Sequence, residues 1–190
     1  MPTEVGGGDD AGGGAALVAA PVRDGWILAP DAALLAGCAV DRYRASGPGG
    51  QHRNKTESAV RLRHRASGVA AIAEDSRSQG ENKARALRRL REHLALGVRS
   101  PAADGPSPRL AAVIAGGTAP LGERTRATPA YLAAMAELLD QLAAAGAEVA
   151  ATARRLGMTT GALSKLLVHD PHVARAANQL RAARGLRPLR

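Results

Sequence analysis

Pro101, Gly105, Pro106, Pro108, Gly116, Gly117, Pro120 and Gly122 all fall within residues 97–128. Such a density of residues that break helices and strands divides the chain into two parts, and the two parts follow different periodicities. Before the break, apolar residues alternate as in a strand; after it, they recur at helical spacing. The pattern predicts an α+β fold: a small unit over 21–96, with an antiparallel sheet packed by a C-terminal helix, a linker over 97–128, and an all-α module over 129–190. Residues 1–20, rich in glycine and aspartate, read as an arm with too little apolar surface to offset ordering.

Within 21–96, a strand is expected over 39–45 and a short helical turn over 54–58. Over 60–65, Val60 and Leu62 fall on one face and Arg61, Arg63 and Arg65 on the other. Ser67-Gly68 is a turn, and 69–73 returns as a second hairpin strand. A helix over 79–96 closes the unit. Ser78 and Glu81 have the spacing of a capping box. Ala84, Leu87, Leu90 and Leu94 form its apolar stripe, with Arg85, Arg88, Arg89 and Arg91 elsewhere on its surface.

The core has to be built from Ala, Leu and Val, because the chain has no Phe, one Trp and two Tyr. Aromatic stacking on bases is correspondingly weak. Charge is uneven: residues 1–40 hold one cation and five acids, whereas the remainder carries the excess that makes the whole chain +9. This excess begins at a glycine-rich tip and points to a polyanionic partner, RNA or DNA, over a merely solvated basic surface. One cysteine, Cys38, cannot form an internal disulfide, and residues 15–22 are too short an apolar run to span a bilayer. The expectation is a cytoplasmic protein with no metal, no small-molecule cofactor and no membrane association.

Helices are expected over 130–145, 147–156, 160–168 and 171–184, delimited by Gly146, Gly157, Thr159/Thr160, Asp170-Pro171 and Gly185. Ala153, Leu156, Gly157, Met158, Leu163 and Leu166 fit a helix-turn-helix. The second helix of that motif offers Thr160, Ser164, Lys165 and His169, which is sparse for reading bases in a major groove. Arg175, Arg181, Arg184, Arg187 and Arg190 are better suited to a phosphate backbone. RNA or ribosome docking, protein contact and specific DNA reading all remain open for this module.

The tip itself is Gly47-Pro48-Gly49-Gly50-Gln51-His52-Arg53-Asn54-Lys55-Thr56. It is not a phosphate-binding P-loop, because Asn54 stands where a second glycine is required. None of the five histidines, His52, His64, His93, His169 and His172, has zinc-ligand spacing. What remains is a glycine tip among cations, able to carry backbone amides and one neutral amide into a narrow anionic site.

Residues 44–94 closely resemble the catalytic domain of class I peptide chain release factors and their ribosome-rescue relatives. The resemblance rests on Arg44-Ala45-Ser46-Gly47, Gly49-Gly50-Gln51-His52, the run from Asn54 to Arg61, Arg77-Ser78-Gln79 and Asn82-Lys83. It implies hydrolysis of the ester joining a nascent peptide to P-site tRNA in the peptidyl transferase centre. Gly49 and Gly50 would permit close approach to RNA. The Gln51 backbone amide would stabilise developing negative charge while its side chain confines the attacking water. A preorganised donor of this kind is worth about 10²–10³ in rate. Arg44, Ser46, His52, Arg53, Asn54, Lys55, Arg61, Arg63, Arg65 and Lys83 would hold the tip in ribosomal RNA. The implied partners are large-subunit RNA and peptidyl-tRNA.

Several departures shape the expectation. The separate stop-codon-reading domains of decoding factors have no room here, which implies codon-independent rescue. Pro48 is as in rescue factors, whereas Thr56-Glu57-Ser58-Ala59-Val60 is closer to the decoding branch. Arg53 stands where the family usually has valine. A helical module replaces the basic tail of short rescue factors, and it is expected to sense the stalled state by gripping RNA; deleting 129–190 should then weaken ribosome binding and leave 21–96 folded. The alternative is a ribosome- or RNA-binding regulator that keeps the tip without turnover, and a DNA-binding transcription factor is the third reading.

Overall fold

The computed structural model describes residues 17–44, 58–117 and 128–190. The expected turn over 54–58 therefore lies almost wholly outside the described residues, as does the tip. In chain order, two short helices come first, α1 (Ala20–Leu28) and α2 (Asp31–Ala36). An antiparallel sheet follows, β1 (Cys38–Tyr43), β2 (Ala59–His64) and β3 (Ala70–Ala73), in the order β1-β2-β3. The long helix α3 (Gln79–Gly97) and the shorter α4 (Pro108–Gly116) lead to a helical group. That group comprises α5 (Pro129–Ala144), α6 (Val149–Arg155), α7 (Thr160–His169) and α8 (Pro171–Ala182). The architecture is α+β, as the periodicities predict.

Register follows from the alternation in β2. Val60, Leu62 and His64 are buried, while Arg61 is half-buried and Arg63 exposed. Across the sheet, Arg61 pairs with Asp41 and Ile72, and Arg63 with Ala39 and Ala70. The buried side meets α3 through Ala86, Leu87, Leu90 and Leu94. Ala84, expected in that stripe, is exposed, because the buried arc runs through Asn82 and Ala86 instead. The capping box forms on one side only. Ser78 Oγ accepts from the Glu81 amide at 3.3 Å, but the Ser78 amide donates to Ser76 Oγ, and Glu81 faces Arg85 at 3.8 Å.

Arg91 corrects the reading of α3 as having all its arginines on the surface. It is 4% exposed and donates to the Ile27 and Ala29 carbonyls and to Asp31 Oδ1, the last at 2.6 Å. Its guanidinium closes the carbonyl end of α1 and the start of α2. A cation there interacts favourably with the unpaired carbonyls of a helix C-terminus.

The helical group is delimited by three glycines in the left-handed region, Gly146, Gly157 and Gly185, with φ of 67°, 65° and 68°. Each ends a helix with the same pair of backbone bonds. At Gly157, the glycine amide reaches the Arg154 carbonyl at 3.3 Å and the Met158 amide reaches Ala153 at 2.9 Å. This is a Schellman motif, and it sets the turn between α6 and α7. Helix starts are equally local: Thr128, Thr159 and Asp170 each accept an amide from the first turn, with Pro129 and Pro171 beginning α5 and α8.

Helix α5 belongs to two cores at once. Leu132, Ala133 and Ala136 sit in the core beneath the sheet with Ile27, Leu62 and Leu90. Tyr131, Met135, Leu138, Leu139 and Leu142 sit in the core formed with Leu110, Leu156, Leu163, Leu167 and Val173. The stretch between α3 and α5 is lashed to the same helix. Gln141 donates to the Ala103 and Gly105 carbonyls, and Glu137 accepts from both the amide and the hydroxyl of Ser107. Truncation at residue 128 would strip Leu132, Ala133 and Ala136 from the sheet-side core and take Asp140 from Arg23 and Arg99. The expectation that 21–96 stays folded without 129–190 thereby loses its physical basis.

Candidate nucleic-acid interface

The catalytic candidates Gly49, Gly50 and Gln51, and the RNA-contact candidates Ser46, His52, Arg53, Asn54 and Lys55, lie outside the described residues. Their frame is described. The chain leaves β1 at Tyr43 and re-enters β2 at Ala59, and these two residues are register partners in the antiparallel pair. Residues 45–57 thus connect adjacent strand ends.

One buried side chain fixes the returning end. Asn82, fully buried on α3, donates through Nδ2 to the Ser58 carbonyl at 2.8 Å and the Ser76 carbonyl at 2.7 Å, and accepts from the Ser76 amide at 2.9 Å. A carboxamide is suited to this task because it offers two donors and an acceptor in one plane. The β2 entry, the segment before α3 and the first turn of α3 are joined at a single residue. Asn82 stands in the motif carried by residues 77–83, but its role as a clamp is visible only in three dimensions.

Among the described candidates, Arg61 lies over the Tyr43 ring, its Cζ 5.5 Å from the centroid, which links the two strands next to the tip. Arg63 is exposed one step further along the same face, and Arg44 is exposed at the end of β1. Arg65 lies past the end of β2 and donates to the Ala36 carbonyl at 3.1 Å, anchoring α2. Lys83 is half-buried on α3 beside Asn82. Structure therefore brings Arg61 and Arg63 together on the sheet face and sets Arg65 and Lys83 apart from them.

The remaining arginines of α3 divide similarly. Arg89 pairs with Asp75 at 2.8 Å and donates to the Ile72 carbonyl at 2.7 Å, holding the β3–α3 connection, whereas Arg88 is exposed. On the buried side of the sheet, His64 is hydrogen-bonded through Nδ1 to Ser67 Oγ at 2.9 Å and edge-on to Trp26, with ring centroids 4.7 Å apart. Burial holds its imidazole below the usual histidine range. The Cys38 thiol is likewise pushed up by burial and donates to the Leu34 carbonyl, so it is a packing residue.

A charge cluster that sequence reading missed lies between α1 and α5. Arg23 is 1% exposed and reaches Asp140 Oδ2 at 2.5 Å, while Arg99 and the Ser100 amide reach Asp140 Oδ1 at 3.1 and 3.0 Å. Burial raises the Asp140 carboxyl against the pull of Arg99, the Ser100 amide and Arg23. Burial also brings Arg99 down to about 10, opposed by Asp140. All three groups remain within ion-pair contact beneath the sheet unit.

Comparison with known proteins gives matches over part of the chain. Residues 36–109 match the RF-1 domain. Peptide chain release factor 1 of Gluconobacter oxydans is 54% identical over 55 residues, which is 29% of this chain and 16% of that protein. Peptide chain release factor 2 of Paramagnetospirillum magneticum is 54% identical over 57 residues, 30% of this chain and 15% of that one. Peptide chain release factor 1 of Albidiferax ferrireducens is 59% identical over 51 residues, 27% and 14% of the two chains. The chain thus spans about a sixth of the length of these curated relatives. The family match is confined to residues 36–109, under half of the chain.

Proposed function

We propose that this protein is a codon-independent release factor that hydrolyses the peptidyl-tRNA ester on stalled ribosomes in the cytoplasm. The observation that carries the reading is the position of Gly49-Gly50-Gln51: inside the RF-1 match, on the connection between β1 and β2, with its returning end clamped by Asn82. Peptide chain release factor 1 of Gluconobacter oxydans and peptide chain release factor 2 of Paramagnetospirillum magneticum are each 54% identical to this chain, over 55 and 57 residues, which supports the reading. In this reading, Gly49 and Gly50 let the backbone approach RNA, and the Gln51 amide stabilises charge on the ester carbonyl oxygen as water attacks. The 3′ oxygen of the tRNA leaves and takes up a proton. Arg44, Arg61 and Arg63 face large-subunit RNA at the base of the tip, joined by Ser46, His52, Arg53, Asn54 and Lys55 on it, with Arg65 and Lys83 at the periphery. Residues 129–190 serve as the docking module.

Release of labelled peptide from ribosomes halted at a sense codon, at a stop codon and at a truncated message tests this. Wild type should act on all three, and Gly50→Ala, which hinders the close approach that places the Gln51 backbone amide, or Gln51→Ala, which removes the side chain confining the water, should lower the rate at least about 10²-fold, the scale of one misplaced preorganised group. Equal release by the three proteins would instead favour a ribosome-binding regulator without turnover. Release confined to stop codons would remove the codon independence.

A further inference from the structure

The C-terminal module carries a surface that neither the RF-1 match nor the proposed chemistry uses. From residue 143 onward the chain has eight cations and two acids. One of the acids, Asp170, is buried as the cap of α8, accepting from the His172 and Val173 amides, which leaves Glu148 as the single exposed acid of the segment. Two of the cations are engaged internally. Arg155 donates to Gln141 Oε1 at 3.1 Å, and Arg181 to the Ala147 and Arg187 carbonyls at 2.7 and 2.8 Å. Arg154, Lys165, Arg175, Arg184, Arg187 and Arg190 remain exposed, spread over α6, α7, α8 and the segment that follows.

What this surface lacks is as informative as its charge. Among the described residues, the large exposed apolar side chains are Leu17, Val22, Leu28, Val40 and Ile72, all outside the module. A protein partner would need an apolar or aromatic anchor at the centre of its footprint, and none is offered. The one Tyr of the module, Tyr131, is buried and hydrogen-bonded to Asp170, and the exposed His172 ring is held against Glu92, so the module offers no row of aromatic rings for stacking on unpaired bases. Single-strand recognition relies on such rings. The exposed start of α7, Thr160-Gly161-Ala162, carries short side chains that allow close approach but offer few groups for reading base edges. The combination fits the phosphate backbone of a duplex.

We infer that Arg154, Lys165 and Arg175, with the arginines after α8, form a docking surface for double-stranded RNA, read by its backbone and not by its sequence. The choice of RNA over DNA rests on the proposed release-factor reading. Binding of the full chain to a labelled 16-base-pair RNA duplex, measured between 50 and 200 mM KCl, tests it (about 16 base pairs is the span over which duplex RNA is typically contacted). Wild type should bind with a steep salt dependence, and Arg154→Gln/Lys165→Gln/Arg175→Gln should flatten the slope of log Kd against log salt by about 2–3, near 0.9 for each phosphate that is no longer neutralised. The triple variant should keep the wild-type unfolding temperature, since these side chains have no internal partners among the described residues. Gln51→Ala should bind like wild type, so failure of the hydrolytic reading leaves this result standing. An unchanged slope in the triple variant, tighter binding to single-stranded RNA, or tighter binding to the DNA duplex of the same sequence would each overturn the inference.

Discussion

Asp140→Asn is the sharpest perturbation of this fold, because it removes one charge and almost no volume. Wild-type Asp140 is 3% exposed and holds two guanidinium groups, that of Arg23 at 2.5 Å and that of Arg99 at 3.1 Å. An amide keeps some of the hydrogen bonds but leaves Arg99 without a carboxylate and Arg23 with Asp24 alone, at 3.0 Å and shared with Arg109, as counter-charge. Arg99 is 13% exposed and can turn toward water, whereas Arg23, at 1%, has no such exit. Removing one partner of a buried pair costs about 3–5 kcal/mol, and the mobility of Arg99 puts the expectation at the lower end. With roughly 2–4 °C per kcal/mol for a chain of this size, Tm should fall by about 6–12 °C at neutral pH.

Urea and thermal unfolding followed by two probes would measure it. Trp26, the chain's one tryptophan, reports on α1 and the sheet unit through its contact with His64, while far-UV circular dichroism weights the helices of α5–α8. Because α5 is shared between the two cores, both probes should move together. A second variant guards against a nonspecific effect: Arg23→Met in the Asp140→Asn background removes the stranded charge and should recover much of the lost stability. A Tm within 2 °C of wild type for Asp140→Asn, or a loss seen by one probe alone, would refute the argument.

Other outcomes follow from the same geometry. Asn82→Ala leaves the Ser58 carbonyl and both Ser76 backbone groups without their partner, at about 1–3 kcal/mol for a buried polar group left unsatisfied; thermal unfolding should show the loss, and peptide release should fall with it. Asn82→Asp should be worse, since a carboxylate would face two carbonyl oxygens. Gly157→Ala forces a Cβ into φ +65°, costing about 1–2 kcal/mol and lowering Tm without affecting release at low temperature. His64 has its folded-state pKa below the unfolded value, so the unfolded state binds the extra proton first and stability is lost as pH falls from about 6.5. Unfolding temperature should therefore decline between pH 7 and pH 5 more steeply in wild type than in His64→Gln.

What was legible in the sequence was local chemistry. Gly146, Gly157 and Gly185 end their helices because glycine tolerates the left-handed conformation, and Thr128, Thr159 and Asp170 begin theirs because each side chain reaches an amide two or three residues on. The two hairpin strands were set by alternation alone. Helices α1 and α2 escaped notice for an equally physical reason. Neither has a side-chain cap, and the two buried residues of α1 are Ile27 and Arg23, so no apolar stripe marks it. The ion pairs of Arg23 and Arg91 join residues 117 and 60 positions apart, beyond anything periodicity can report. For the candidate site, Asn82 stood in the motif without being read as a site residue, and only the fold shows that it holds the tip's stem.

A helix buried on nearly every side changes what the C-terminal module can be. If residues 97–128 acted as a slack tether, docking of the module would raise only the local concentration of the tip near its target. Instead, the described part of that stretch is fastened to α5 by Gln141, Glu137 and Asp140, and α5 is packed into both cores. A continuous series of contacts then runs from the strand ends that flank the tip, through Asn82 to α3, from α3 to α5, and from α5 to α6, α7 and α8. Docking the cationic surface on a duplex would orient the β1–β2 stem as well as bring it near. On the proposed reading the module would then work as a gauge of geometry: only an RNA assembly that presents a duplex at the right distance and angle from the ester would let the surface and the tip engage together.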